Sequence, residues 1–287
     1  MTRGALSGRL AIITGGGRGI GEAIALRFAA EGARLALGAR SRNELERVAT
    51  ACRDAGADCS IHVVDVSVRD EVDDFIHASG PADVLVNCAG MYGPIGLLVE
   101  NDLDEWERGL RVNLMGTVYA CRAVIPGMVQ RGRGSIINFS GGGATAPLPH
   151  FSLYAVSKAA VARLTDTLAA ELVGTGVRVN AIAPGAVDTR LQDEVLAAGE
   201  EQAGELFHRM QKMRDTGQGA TQPDVPARLA VFLASDRSAG LTGKLISAPH
   251  DPWESWNASR IQSLNGTSWY TIRRLDPYTI GQLGAEP

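Results

Sequence analysis

Cysteine is scarce in this chain: four residues in 287, Cys52, Cys59, Cys88 and Cys121, with no Cys-x-x-Cys among them. That scarcity argues against a disulfide scaffold and suits free thiols in a reducing compartment. The five histidines are scattered and no His-Glu-x-x-His occurs, so no protein-held metal is expected. Neither sign of charge dominates; 28 basic against 32 acidic residues leave a net charge of −4. Such a balance supplies no electrostatic footprint for nucleic acid or an anionic membrane, and neither is expected as a partner. No uninterrupted apolar run approaches the ~20 residues of a membrane span. The opening residues, Met1 to Arg9, lack the apolar centre of a signal peptide, so a cytoplasmic protein is expected.

What is present is a rhythm. Short apolar runs at Leu10–Thr14, Arg34–Ala39, Ile61–Asp65, Val84–Asn87, Ser135–Phe139, Val177–Ile182 and Lys244–Ser247 read as buried strands. Helical patterns fall between most of them, at Gly19–Glu31, Arg42–Ala55, Arg69–Ala78, Asp104–Gln130, Tyr154–Leu172 and Pro223–Ala234. The alternation predicts an α/β fold, with a seven-stranded parallel sheet covered by helices on both faces. Nothing divides residues 1–248, which are expected to form one domain. Residues 188–222 contain no strand and are rich in charge and glutamine; lying after a strand's carboxyl end, they are expected to form a partly helical lid. Residues 249–287 hold Trp253, Trp256 and Trp269, three of the four tryptophans, with Tyr270 and Tyr278. This aromatic-rich extension is expected to dock on its own or a neighbouring subunit.

The run Leu10–Thr14 leads into Gly15-Gly16-Gly17-Arg18-Gly19-Ile20-Gly21 and then a helix. Glycines between a strand and a helix let the backbone turn sharply and approach a pyrophosphate at the helix amino end. The spacing is Gly-x-x-x-Gly-x-Gly, and no Gly-Lys-Ser/Thr follows to make a Walker loop. The second strand usually ends in an acid that binds the ribose hydroxyls of NAD. Here it ends Gly38-Ala39-Arg40-Ser41-Arg42. Arg40, with Arg18 and Arg42 near it, can bind a 2′-phosphate through charge-assisted hydrogen bonds of ~1.5–3 kcal/mol, roughly 10- to 150-fold in affinity. NADP(H) is therefore favoured, with NAD(H) possible.

Tyr154 and Lys158 stand four residues apart and share one helix face. An ammonium ~5 Å from a phenol is worth ~3 kcal/mol at an effective dielectric of ~20, or ~2 pKa units. The spacing thus predicts a tyrosine made more acidic by its lysine.

Together these pieces resemble the short-chain dehydrogenase/reductase family, with its Rossmann-type doubly wound fold. Thr14-Gly15-x-x-x-Gly19-Ile20-Gly21 matches the cofactor motif and Asp65-Val66 the adenine-contact pair. Asn87-Cys88-Ala89-Gly90 looks like the family's Asn-Asn-Ala-Gly. Asn113, Ser140, Tyr154 and Lys158 match the catalytic set, and Pro184-Gly185-Ala186-Val187-Asp188-Thr189 the turn and threonine near the nicotinamide. The resemblance implies hydride transfer between nicotinamide and a carbonyl or secondary alcohol, with ketone reduction favoured. Tyr154 would be the proton donor and Lys158 would lower its pKa and hold the ribose. Ser140 would bind the carbonyl oxygen, and Asn113 would hold a water joining Lys158 to solvent.

The implied cofactor contacts are Gly15, Gly17, Arg18, Gly19, Ile20, Gly21, Arg40, Ser41, Asp65, Val66, Asn87, Ala89, Gly90, Tyr154, Lys158, Pro184, Gly185, Val187 and Thr189. Ser140 precedes Tyr154 by fourteen residues where the family has about thirteen, so strict counting would place Gly141 at the serine position. The run Gly141-Gly142-Gly143 can absorb one residue, and Ser140 is the expected member. The substrate readings are a 3-oxoacyl thioester, a keto-sugar or polyol, and a small hydrophobic or cyclic ketone. The alternative is a non-catalytic dinucleotide sensor or scaffold on the same fold. The family also implies a homodimer or homotetramer formed through the helices Asp104–Gln130 and Tyr154–Leu172.

Overall fold

The structure, a computed structural model, describes residues 4–274 and 276. Seven strands form one parallel sheet: β1 (Leu10–Thr14), β2 (Arg34–Ala39), β3 (Cys59–Val63), β4 (Val84–Asn87), β5 (Gly134–Phe139), β6 (Val177–Ala183) and β7 (Leu245–Ser247). Their order is β3-β2-β1-β4-β5-β6-β7, every adjacent pair parallel. The central strands are buried on both faces, which is why they read as unbroken apolar runs. After β3 the chain crosses to the far side of β1, creating a crevice between the carboxyl ends of β1 and β4, where ligands bind in such sheets.

One face carries α1 (Gly19–Ala30), α2 (Arg42–Asp54) and, from later in the chain, α9 (Asp224–Ala234), packed through Ile24, Phe28, Leu45, Val48, Leu229 and Phe232. The other carries α3 (Arg69–Ser79), α5 (Gly116–Gln130) and α6 (Ser152–Glu171), packed through Val72, Phe75, Val124, Met128 and Ala169.

Two local readings shift. β3 spans Cys59–Val63 rather than Ile61–Asp65, and its pairing with β2 ends at Ala39↔Val63. Asp65 instead starts a turn, its carboxylate accepting the Ser67 N–H at 2.9 Å and hydroxyl at 2.7 Å. The single helix expected at Asp104–Gln130 comprises α4 (Leu103–Leu110), a π turn (Arg111–Met115) and α5. The continuous run Leu103–Gln130 is 28 residues long and apolar enough, by length and composition alone, to cross a membrane. Here its α5 part lies on the sheet.

Residues 190–216 form α7 (Arg190–Ala203), broken at Gly199, and α8 (Glu205–Thr216). They share a small core of their own with Phe151, built on Val195, Ala203, Met210 and Met213, against which Tyr92 and Tyr154 also pack. The extension includes α10 (Ala258–Leu264). Trp253 and Trp256 are buried in the α1/α2/α9 core, and the Trp253 indole donates to the Ala248 carbonyl at 3.0 Å. The Lys244 ammonium donates to the Thr267 and Trp269 carbonyls at 3.0 and 3.1 Å, and the Leu245 N–H to the Tyr270 carbonyl at 2.7 Å. Tyr278 lies outside the described residues.

Candidate active site

The glycine turn sits at the crevice. Gly15 adopts φ +70°, and a Cβ on it would lie 2.8 Å from the Ala89 backbone. A Cβ on Gly21 would lie 2.1 Å from the Gly15 carbonyl, so α1 starts directly over the turn only because both positions lack side chains. Thr14, the first residue of the motif, accepts the Cys88 and Ala89 N–H groups at 3.2 and 3.4 Å and so ties the β1 and β4 ends together. Gly17 lies against Glu44, and Ile20 packs into the core behind the turn. Arg18 occupies the amino cap of α1 with no side-chain capping bond. The first helical N–H groups are thus left uncapped by any side chain, an arrangement suited to an anion.

The arginines around the glycine turn and the end of β2 divide. Arg18 pairs with Glu44 at 3.3 Å and Arg42 with Glu46 at 4.0 Å. Arg40 is exposed and enters no ion pair among the described residues. Ser41 Oγ caps α2 by accepting the Glu44 N–H at 3.4 Å. Burial works to raise the Asp65 carboxyl, but the two Ser67 hydrogen bonds and the charge of Arg40 outweigh it and hold the group below its ordinary value. Val66 lies against Gly116, where a Cβ would come within 2.9 Å of it. Asn87 is turned into the sheet and donates to Asn138 Oδ1 at 2.9 Å, so its side chain serves the interior rather than the crevice. Gly90 leads to Asn113 and Lys158: a Cβ on it would lie 3.3 Å from Asn113 Oδ1 and 3.4 Å from Lys158 Nζ.

After β6, Pro184 and Gly185 turn the chain at φ +80° against Thr221, and Val187 forms a bridge with Thr221. The methyl group of Thr189 would lie 3.2 Å from a Cβ on Gly19, which places the start of α7 over the glycine turn. The glycine cradle, the uncapped helix end and Arg40, which is in no ion pair among the described residues, have chemistry that fits a dinucleotide.

Asn113 lies in the π turn, a distortion that recurs at functional sites. Its amide donates to the Met91 carbonyl at 2.8 Å and to Ser157 Oγ at 3.0 Å, and its carbonyl accepts the Met91 N–H at 2.9 Å. Ser157 in turn donates to the Tyr154 carbonyl at 2.9 Å. The side chain therefore clamps the β4 loop to the first turns of α6. Lys158 Nζ donates to the Phe139 carbonyl at 2.9 Å and lies 5.5 Å from the Tyr154 ring centre. Tyr92, not singled out from the sequence, packs its ring against both Tyr154 (centroids 4.6 Å apart, tilted) and Phe151 (5.2 Å, edge-on). No motif spacing marks it, since the contact joins the loop after β4 to the start of α6.

Two expectations need correction. Ser140 does not face Tyr154: it is buried, and its hydroxyl donates to the main-chain carbonyl of Lys158 at 3.0 Å. Gly141 faces the tyrosine instead, and a Cβ there would lie 2.6 Å from Tyr154 Oη. Strict counting along the chain finds this position; the glycine run absorbs no residue. The second concerns acidity. Burial, followed by Tyr92 and Cys88, pushes the Tyr154 phenol above its ordinary value, and burial lowers the Lys158 ammonium to about 8, with Cys88 opposing. Desolvation outweighs the expected pull of the lysine because both groups sit in the same dry cleft.

Fold and site together define a dinucleotide-using oxidoreductase that acts on CH–OH or C=O groups. The family model for short chain dehydrogenase matches residues 9–199. The chain is 37% identical over 244 residues to 2-keto-3-deoxy-L-fuconate dehydrogenase of Xanthomonas campestris, covering 83% of this chain and 78% of that one. Among solved structures it resembles gluconate 5-dehydrogenase from Burkholderia cenocepacia in complex with NADP and tartrate (32% identity, TM-score 0.75, 85% of this chain and 95% of that one). It also resembles NAD+-bound xylitol dehydrogenase (27% identity, TM-score 0.76, 84% and 98%). The chain belongs to the short-chain dehydrogenase family.

Proposed function

We propose that this protein reduces a ketone with NADPH, Tyr154 acting as general acid. The observation that carries the reading is the seating of the Tyr154 hydroxyl against Gly141 with the buried Lys158 Nζ 5.5 Å from its ring centre. A reduced nicotinamide supplies hydride when bound there. The chain's residues do the rest. Tyr154, protonated through the physiological range because burial raises its pKa, gives its proton to the carbonyl oxygen as charge develops. Lys158, fixed by the Phe139 carbonyl, keeps a positive charge near the proton path below about pH 8. Asn113 holds the loop and helix that carry these groups in register.

Arg40 favours the 2′-phosphate of NADP(H), being exposed just after β2 and in no ion pair among the described residues. Helices α7 and α8 act as the lid over the substrate, sharing a core with Tyr92 and Tyr154. Subunits pair through the α4–α6 side, where Leu97, Leu98, Val99, Leu103 and Val156 are exposed. The polyhydroxylated compounds in the names of similar proteins make keto-sugars the first substrates to try.

The test is Tyr154→Phe. NADPH should still bind, while kcat falls by at least about a hundredfold. Activity near that of the unmodified protein would reject Tyr154 as the acid.

A further inference from the structure

A second hydroxyl is missing from the place where Tyr154 presents its own. Ser140 donates to the Lys158 carbonyl, and Gly141 stands where a side chain would meet Tyr154 Oη. Two further nearby hydroxyls are engaged: Ser157 Oγ with the Tyr154 carbonyl and Asn113, and Ser152 Oγ with the Trp106 indole at 3.2 Å. Next along the loop, Gly142 is exposed and a Cβ on it would meet nothing within 4 Å, so open space lies beside Gly141.

In the reduction, the carbonyl carbon takes hydride from the reduced nicotinamide, which is oxidised. The C=O π pair moves to oxygen, which takes the Tyr154 proton. Charge builds on that oxygen before the proton arrives, and losing one of its hydrogen-bond donors typically costs about 10²–10³ in rate. A hydroxyl on the carbon next to the carbonyl can supply that donor through a five-membered hydrogen-bonded ring.

We propose that the substrate is an α-hydroxy ketone, of keto-sugar or keto-polyol type, whose own vicinal hydroxyl hydrogen-bonds the reacting oxygen where this chain has Gly141. The proposal rests on the carbonyl-reduction reading above. It makes the glycine at 141 a specificity-determining position. Simple ketones, lacking the hydroxyl, are turned over with one hydrogen-bond donor fewer on the reacting oxygen.

The experiment uses the full-length enzyme with NADPH and three ketones: cyclohexanone, 2-methoxycyclohexanone and 2-hydroxycyclohexanone. The methoxy compound keeps the electron-withdrawing oxygen and removes the donor proton. The expected result is a kcat for the hydroxy ketone roughly 10²-fold above that for the methoxy ketone. Values for those two within about threefold of each other would overturn the proposal while leaving ketone reduction intact. Ser140→Ala should keep kcat on the hydroxy ketone within about threefold; a loss of about a hundredfold would make Ser140 the missing donor and overturn the proposal. Absence of turnover with all three ketones, with NADPH still bound, would overturn the carbonyl-reduction reading and this proposal with it.

Discussion

Lys158 should make both stability and activity depend on pH in a window set by its burial. The side chain is 5% exposed, and burial lowers its ammonium from 10.5 to about 8. At 1.36 kcal/mol per pKa unit, charging this lysine in the folded protein costs ~3 kcal/mol. For a base whose folded pKa is depressed, the cost is fully present below about pH 8. Between about pH 8 and 10.5 the unfolded chain holds a proton that the folded protein has released, so stability rises with pH across that window. Lys158→Met keeps the length of the side chain and removes the titration. Its lost bond to Phe139 is the same at every pH, so the pH dependence isolates the charge. Lys244, also lowered to about 8 by burial, titrates in both proteins and cancels. Urea unfolding at pH 7 and 9.5 should show the unmodified protein gaining ~2 kcal/mol relative to Lys158→Met. A relative gain under ~0.5 kcal/mol would refute the argument that desolvation controls this site. In the same window kcat/KM should fall above about pH 8 as Lys158 loses its charge.

Arg40→Asp should shift the ratio of NADPH to NADH KM by roughly 10- to 150-fold toward NADH, the worth of one charge-assisted contact to a 2′-phosphate; an unchanged ratio would sink the cofactor preference. Trp253→Ala should destabilise the protein by ~3–5 kcal/mol in guanidinium unfolding, because the indole fills the core beside Phe232 and its N–H satisfies the Ala248 carbonyl. A loss below ~1 kcal/mol would show that the extension is not part of the folding core.

The sheet, its parallel sense and its two helical layers could be read from the chain because the central strands are buried on both faces and leave uninterrupted apolar runs. The glycine turn was readable for a related reason: Gly15 and Gly21 stand where backbone meets backbone, and no other residue fits. Boundaries held less well. Asp65 left β3 because a carboxylate bonded to Ser67 prefers a turn to a strand, and the π turn around Asn113 breaks a pattern that apolar periodicity alone reads as one helix. The contact of Tyr92 with Tyr154 joins a loop to α6 with no shared spacing.

By itself the sequence determined the fold class, the dinucleotide turn and the pairing of Tyr154 with Lys158, since burial, steric room and helical period act locally and leave their mark in residue order. Only the tertiary structure decided what those groups do in company. It turned Ser140 inward to the Lys158 backbone and set Gly141 against the phenol. It also made desolvation, rather than the neighbouring ammonium, the stronger influence on Tyr154. Those outcomes depend on which way a side chain faces and how much water it loses, and both are fixed only when distant segments pack together.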